Sequence, residues 1–473
     1  MTGAEKAFSG QRQGAEGVKR MWAEESVLYQ IYPLGMCGAP FENPASPGTP
    51  VSEEDNTDGH GAILQVIGWI PHLKKLNVNV VLFNPLFESD THGYNTRDFF
   101  RVDRRLGTNG DFRLVCEALH EAGIRVMLDG VFNHVGRGFW AFQDVLQKKW
   151  ESPYKDWFHI SFDGNDAWND GFWYEGWEGN YDLVKLNLNN EAVVSHLLDA
   201  VRFWTEEYGI DGLRLDVAYC LDRGFLRRLR SFTSELAASL KREEFFLFGE
   251  ILGGDYKTIM APDMLHSATN YECFKGLFSS FNSSNLFEIN HSLMRQFGSE
   301  PWCLYRGMHL ISFADNHDVT RVASVLNNPA HLPLLYALMF GMPGIPCIYY
   351  GSEWGMKGEK RDGDPALRPA VRWPEWNELT DFIARLAEAK RKSEALCYGD
   401  FRSILLTNKQ CIFERKSEHE RVLVAINMDD ADYTAHFDAG CGMAVDLITG
   451  NKHDFGGGSL LPACSAQWWL MER

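Results

Sequence analysis

The chain has 473 residues, a formal net charge of −18, and 45% hydrophobic and 23% charged residues. That length allows two or three domains with a sizeable buried core. The acidic balance, without any clustered block of Lys and Arg, argues against nucleic acid as a partner, and no run approaches the roughly 18 apolar residues of a membrane span.

Residues 1–21 are polar and Gly-rich, lack the apolar stretch of a secretory signal, and are expected to be disordered or loosely attached. From Val27 onward, apolar runs alternate with amphipathic segments. The strand-like runs are VLYQIYPLG at 27–35, VNVVLFNPLF at 78–87, IRVMLDGVF at 124–132 and IDGLRLDVA at 210–218. They continue with FFLFGEIL at 245–252, SATNYECF at 267–274, MHLISFA at 308–314 and GIPCIYYG at 344–351. Runs this continuously apolar suit parallel strands buried on both faces. Between the first two, Ile63, Val66, Ile67, Ile70 and Leu73 form one helical stripe, which Pro71 is predicted to kink. After the third strand comes a stretch rich in Trp, Phe, Asp and Gly with little helical period. Asn190 then reads as the N-cap of a helix that stops at Gly209. Beyond a helix near 377–395, alternating segments such as RSILLT, QCIFERK and VLVAINM indicate antiparallel strands. The expected fold is therefore α/β: a (β/α)8 TIM barrel over 22–135 and 190–397, an inserted small domain over 136–189, and a C-terminal antiparallel β domain over 398–473.

The 10 cysteines are scattered from Cys37 to Cys464 without a CxxC pair, as free thiols of a reducing compartment would be, so a cytoplasmic location is expected. The 15 Trp, 16 Tyr and 31 Phe suit the apolar faces of sugar rings as well as a core.

In a barrel of this kind the C-terminal strand ends carry the chemistry. Asp216 in GLRLDVA, Glu250 in FLFGEIL and Asp318 in FADNHD lie at three such ends, and DGVFNH adds Asp129, Asn133 and His134 at a fourth. Burying each carboxylate costs several kcal/mol unless a partner or a function compensates. Arg214 and Asp216, two apart on a strand, face the same side, and the guanidinium favours the ionised form a nucleophile requires. Phe, Leu and Ile around Glu250 favour the neutral form a general acid requires. Two carboxyls divided in this way are the scheme of a retaining glycosidase.

The motifs DGVFNH at 129–134, GLRLD at 212–216, GE at 249–250 and FADNHD at 313–318, with HGYN at 92–95 and NPLFES at 84–89, make the chain resemble the α-amylase superfamily, glycoside hydrolase family 13. The resemblance runs over nearly all of residues 27–473. It implies a retaining hydrolase of α-1,4 bonds, with α-1,6 bonds also in range, acting on maltodextrins and related α-glucan oligosaccharides. Asp216 would be the nucleophile, Glu250 the acid/base and Asp318 the carboxylate that holds sugar hydroxyls. Tyr94 would stack on the sugar, and His134, Arg214 and His317 would bond it or orient the carboxylates. Asp129 and Asn133 read as structural. Asp364 and Arg368 in GDPALR would reach the neighbouring sugar, and Trp177 and Trp354 are stacking candidates.

LVKLN at 183–187 is similar to the form found in neopullulanases and cyclomaltodextrinases. Lys185 there, and Tyr219 and Cys220 where many relatives have Lys and His, weaken the case for a structural calcium; no cofactor is expected. Val217 resembles members that accept α-1,6 bonds. With the first strand near Val27, the extra N-terminal β domain of neopullulanases is not expected, and no oligomeric state is assigned. A plain α-amylase is the preferred reading. Cyclomaltodextrinase or neopullulanase, 4-α-glucanotransferase and a non-catalytic sugar-binding member are the alternatives.

Overall fold

The computed structural model describes residues 20–46 and 61–471. The N-terminal segment 1–21, expected to be loose, lies outside them except for Arg20 and Met21. Arg20 pairs with Glu394 at 3.0 Å and sits over the Tyr398 ring.

Eight parallel strands form the core sheet: β1 Leu28–Ile31, β2 Val80–Phe83, β3 Arg125–Gly130, β4 Gly212–Leu215, β5 Phe246–Gly249, β6 Ser267–Ala268, β7 Ile311–Phe313 and β8 Ile345–Tyr349. They neighbour one another in the order β6-β5-β4-β3-β2-β1-β8-β7. A parallel bridge between Thr269 and Ile311 joins β6 to β7, so the sheet closes into a barrel. Leu28, Val80, Leu82, Met127, Phe246, Phe248 and Ile345 fill the interior. Alternate strand residues face the helices outside, which is why both faces read as apolar.

Two of the expected runs divide. Pro85 has no N–H for the ladder, so β2 ends at Phe83, and Phe87–Ser89 turns to pair antiparallel with Thr96–Val102. The run 267–274 holds only two strand residues. The Asn270 side chain accepts the Cys273 N–H at 3.1 Å and starts a helix, Tyr271–Asn282, whose Cys273, Leu277 and Phe281 face the core at four-residue spacing. The stripe near Pro71 is a 3-10 run, Ala62–Trp69, followed by an α-helix, Ile70–Lys75. Pro71 sits in the first α turn, where its missing N–H removes no bond. The helix Glu191–Tyr208 begins and ends as its sequence signals indicate, with Asn190 accepting from Ala192 and Val193 and Gly209 in the left-handed region.

The strands Gly176–Trp177 and Asn180–Lys185 of the 136–189 stretch make a small antiparallel sheet with His134–Gly136, which begins just ahead of it. A helix also occurs there, Trp140–Lys148, although helical period looked weak in this stretch. It buries Ala141, Phe142 and Val145 at three- and four-residue spacing. The C-terminal residues form a six-stranded antiparallel sheet and a two-stranded one. Its final strand, Ser465–Met471, alternates faces: Trp468 packs into the main core, and Trp469 into an outer cluster with Leu423 and Ala435.

Candidate active site

Strand register assembles the site. Arg214 on β4 pairs with Asp129 on β3 and with Phe248 on β5, so the residues just beyond β4 and β5, Asp216 and Glu250, converge on the same guanidinium. Arg214 donates to Asp129 Oδ2 through Nη1, which also lies 3.4 Å from Asp216 Oδ1, while its Nη2 lies 3.0 Å from Glu250 Oε1. All four side chains are buried. Three carboxyls around one guanidinium leave an excess of negative charge in a dry place, which favours holding a proton there. Burial and the neighbouring Glu250 push the Asp216 carboxyl well above the usual carboxylate range, against the pull of Arg214. Arg214 favours the ionised form of Asp216, as expected from its place two residues away, but acts against burial and Glu250. The Arg is shared among the three carboxyls, and its shortest hydrogen bond goes to Asp129.

Asp129 is tied down: its Oδ2 also accepts from Asn84 at 3.1 Å and from the Tyr94 hydroxyl at 3.2 Å. Tyr94 contacts His317 Nε2 at 2.5 Å, and the two rings stack with centroids 5.6 Å apart. Gln30 donates through Nε2 to Asn84 Oδ1 at 2.8 Å and lies 3.1 Å from His317 Nδ1. His134 stands 3.9 Å from Asp216 Oδ2. Asn133 Nδ2 lies 3.1 Å from His134 Nδ1, which makes that nitrogen the acceptor and leaves the ring proton on Nε2. Burial keeps this ring neutral, its pKa brought down to about 3. The buried Nε2 makes no hydrogen bond to the described residues, Asp216 Oδ2 at 3.9 Å being too far, and is a donor available to a ligand hydroxyl.

Asp318, in the loop after β7, differs from the other two carboxyls. Burial alone would push it up, but His317 and Arg368 outweigh that and hold it well below the usual range. His317 Nε2 lies 2.9 Å from Asp318 Oδ2, and Arg368 Nη2 donates to Oδ1 at 2.9 Å. Arg368 also pairs with Asp364 at 2.9 Å and lies over the Tyr32 ring. Asp364 and Arg368 thus form an ion pair with each other as well as a link to Asp318.

Trp177, on the small inserted sheet, lies 5.8 Å from the His134 ring and is half-buried at the site. Trp354 is elsewhere. It packs on Trp69 and His72, each 6.0 Å away, and belongs to the packing between outer helices. Sequence reasoning missed Gln30, Asn84, Tyr32, Tyr271 and Asn316. The first two were legible as polar residues inside apolar strand ends. Val217, directly after Asp216, adopts φ 40°, unusual for a β-branched residue, and its amide donates to Glu250 Oε2 at 3.2 Å. Backbone strain at this point is held by the surrounding structure and aims a donor at the second carboxyl. Lys185 lies opposite His134 in the inserted sheet and contacts Glu175 Oε1 at 2.5 Å. Among the described residues no group of three or more His, Cys, Asp or Glu side chains is placed to hold a metal.

Residues 51–397 match the family model for the alpha amylase catalytic domain. The chain is 30% identical over 431 residues to a cyclomaltodextrinase of Bacillus sp, covering 87% of this chain and 74% of the relative. It is 32% identical over 404 residues to the intracellular maltogenic amylase of Bacillus subtilis (strain 168), covering 82% of this chain and 65% of the relative. Among solved structures, the cyclic alpha-maltosyl-(1-->6)-maltose hydrolase from Arthrobacter globiformis, complexed with that sugar, superposes with a TM-score of 0.78 at 26% identity, covering 95% of this chain and 99% of the other.

Proposed function

The chain belongs to the α-amylase family of glycoside hydrolases acting on α-glucans, and from that premise we propose that it cleaves α-1,4-glucosidic bonds in maltodextrins with retention. Asp216 attacks the anomeric carbon as Glu250 gives its proton to the leaving oxygen. Glu250 then takes a proton from the water that opens the β-glycosyl intermediate. The observation that carries this reading is the shared guanidinium: Arg214 touches both carboxyls, at 3.4 and 3.0 Å, which supports the close pair a retaining enzyme needs. Asp318, held ionised by His317 and Arg368, suits a grip on sugar hydroxyls that tightens as positive charge develops on the ring. His134, Tyr94 and Trp177 complete the sugar-binding wall.

A second reading, opening of cyclic maltodextrins, is supported by the relative named cyclomaltodextrinase. Calcium is not needed in either reading. The Lys185 ammonium on Glu175 places positive charge where the resemblance would locate the ion. A cytoplasmic location is supported by free thiols at all 10 cysteines and by a relative named intracellular; no helix among the described residues is long and apolar enough to cross a membrane. The test is a product profile from maltoheptaose, pullulan and β-cyclodextrin, with Asp216→Asn as control. Short maltodextrins from maltoheptaose support the first reading, and an opened cyclodextrin ring the second. Products longer than the starting oligomer make glycosyl transfer the main reaction, and no products at all overturn the enzymatic reading.

A further inference from the structure

Glu250 receives an unusual set of donors. Its Oε1 faces Arg214 Nη2 at 3.0 Å and accepts from the Tyr271 hydroxyl at 3.4 Å, and its Oε2 accepts from the Val217 amide. The Tyr271 hydroxyl cannot turn elsewhere at no cost, because Asn316 Nδ2 donates to the same phenol oxygen at 3.0 Å. A phenol that accepts there has its proton left for Glu250. Asn316 is buried and is oriented in turn, since its Oδ1 accepts the Asp318 N–H at 2.8 Å. Phe313 packs edge-on to the Tyr271 ring at 4.9 Å and fixes its tilt. A hydrogen-bonded path thus runs from the Asp318 loop beyond β7 to the carboxyl beyond β5.

We propose that Tyr271, oriented by Asn316, is a positioning residue that sets the pH range in which Glu250 serves as both acid and base. This rests on the acid/base reading of Glu250. A retaining reaction asks one carboxyl to be protonated in the first half and ionised in the second. The other charges facing Glu250 do not resolve that demand. Asp129 from β3, Asp216 beyond β4 and Asp318 from the β7 loop bring negative charge to the same strand ends. Arg214 opposes them but is divided among three carboxyls. Tyr271 adds a neutral donor whose bond strengthens when its acceptor is ionised. The side chain therefore favours the base without adding a charge to the pocket.

The experiment is the pH profile of kcat/KM for Tyr271→Phe on maltoheptaose. The basic limb is expected to move up by about one pH unit, the size of one donor lost from a carboxylate at long range. The acid limb and the unfolding midpoint are expected to stay in place. Incorporating 3-fluorotyrosine at 271, a stronger donor, is expected to move the limb the other way, which guards against a packing effect of Phe. With α-maltosyl fluoride, whose leaving group needs no proton, the substitution is expected to leave glycosylation unshifted. A fall in kcat with the basic limb unmoved in both variants overturns the proposal. Near-normal turnover of maltoheptaose by Glu250→Gln would instead overturn the acid/base reading beneath it.

Discussion

Lys390 provides a quantitative test of how charge is buried in this protein. It lies on the helix Glu378–Lys392, is wholly inside, and donates to the Leu396 carbonyl at 2.6 Å. Arg415 is also buried and is held by the carbonyls of Gly341 and Gly399. Burial, then the nearby Arg415, brings the lysine pKa down from 10.5 to about 7. The folded chain therefore holds this proton more weakly than the unfolded chain, and falling pH favours unfolding. At about 1.4 kcal/mol per pH unit, the gap between 10.5 and about 7 corresponds to a cost on the order of 5 kcal/mol, fully present below pH 7 and gone above 10.5. Lys390→Met removes the charge at similar volume but leaves the Leu396 carbonyl unpaired, a loss of about 1–3 kcal/mol. The variant is expected to exceed the parent by about 2–4 kcal/mol near pH 6.5. That advantage should shrink by about 1.4 kcal/mol per pH unit above pH 7 and reverse between about pH 8.5 and 10. Urea unfolding followed by tryptophan fluorescence between pH 6.5 and 10.5 measures it. A difference that does not change with pH would mean that Lys390 stays charged inside the fold, and the reasoning would fail.

Asp216→Asn is expected to lower turnover by about 10⁴-fold or more. Its melting temperature should hold or rise, because a carboxyl pushed upward by burial destabilises the fold when ionised at neutral pH; a melting point several degrees lower would show instead that this carboxylate is a structural anchor. Chelator is expected to change neither activity nor melting temperature, since Lys185 already partners Glu175, and a loss restored only by calcium would refute this. Asn190→Ala removes the side-chain acceptor at the start of the helix Glu191–Tyr208 and should cost about 1 kcal/mol in urea unfolding with activity unchanged. No measurable cost would mean that the cap is not a stabilising contact.

Much of the molecule was legible in local spacing. Continuous apolar runs mark strands buried on both faces, and Asn190 and Gly209 mark where a helix starts and stops. Carboxylates inside apolar strand ends mark a place where burial must be compensated, and four ordered motifs point to the family. These are properties of neighbouring residues and survive without knowledge of the fold. What local spacing does not carry is the partner across the sheet. Asn270 and the four-residue spacing behind it made a helix of a segment that reads as a strand, because the tertiary core lies on one side of it. Trp177 and Trp354 look alike in sequence, yet only the first faces the site. In the sequence Arg214 stands beside Asp216, two residues away, and its other partners are not visible. The register of β3, β4 and β5 divides it among Asp129, Asp216 and Glu250, which lie up to 121 positions apart in the chain. Electrostatic energy depends on distance in space and on exclusion of water, and both are decided only when distant segments close around the same charge.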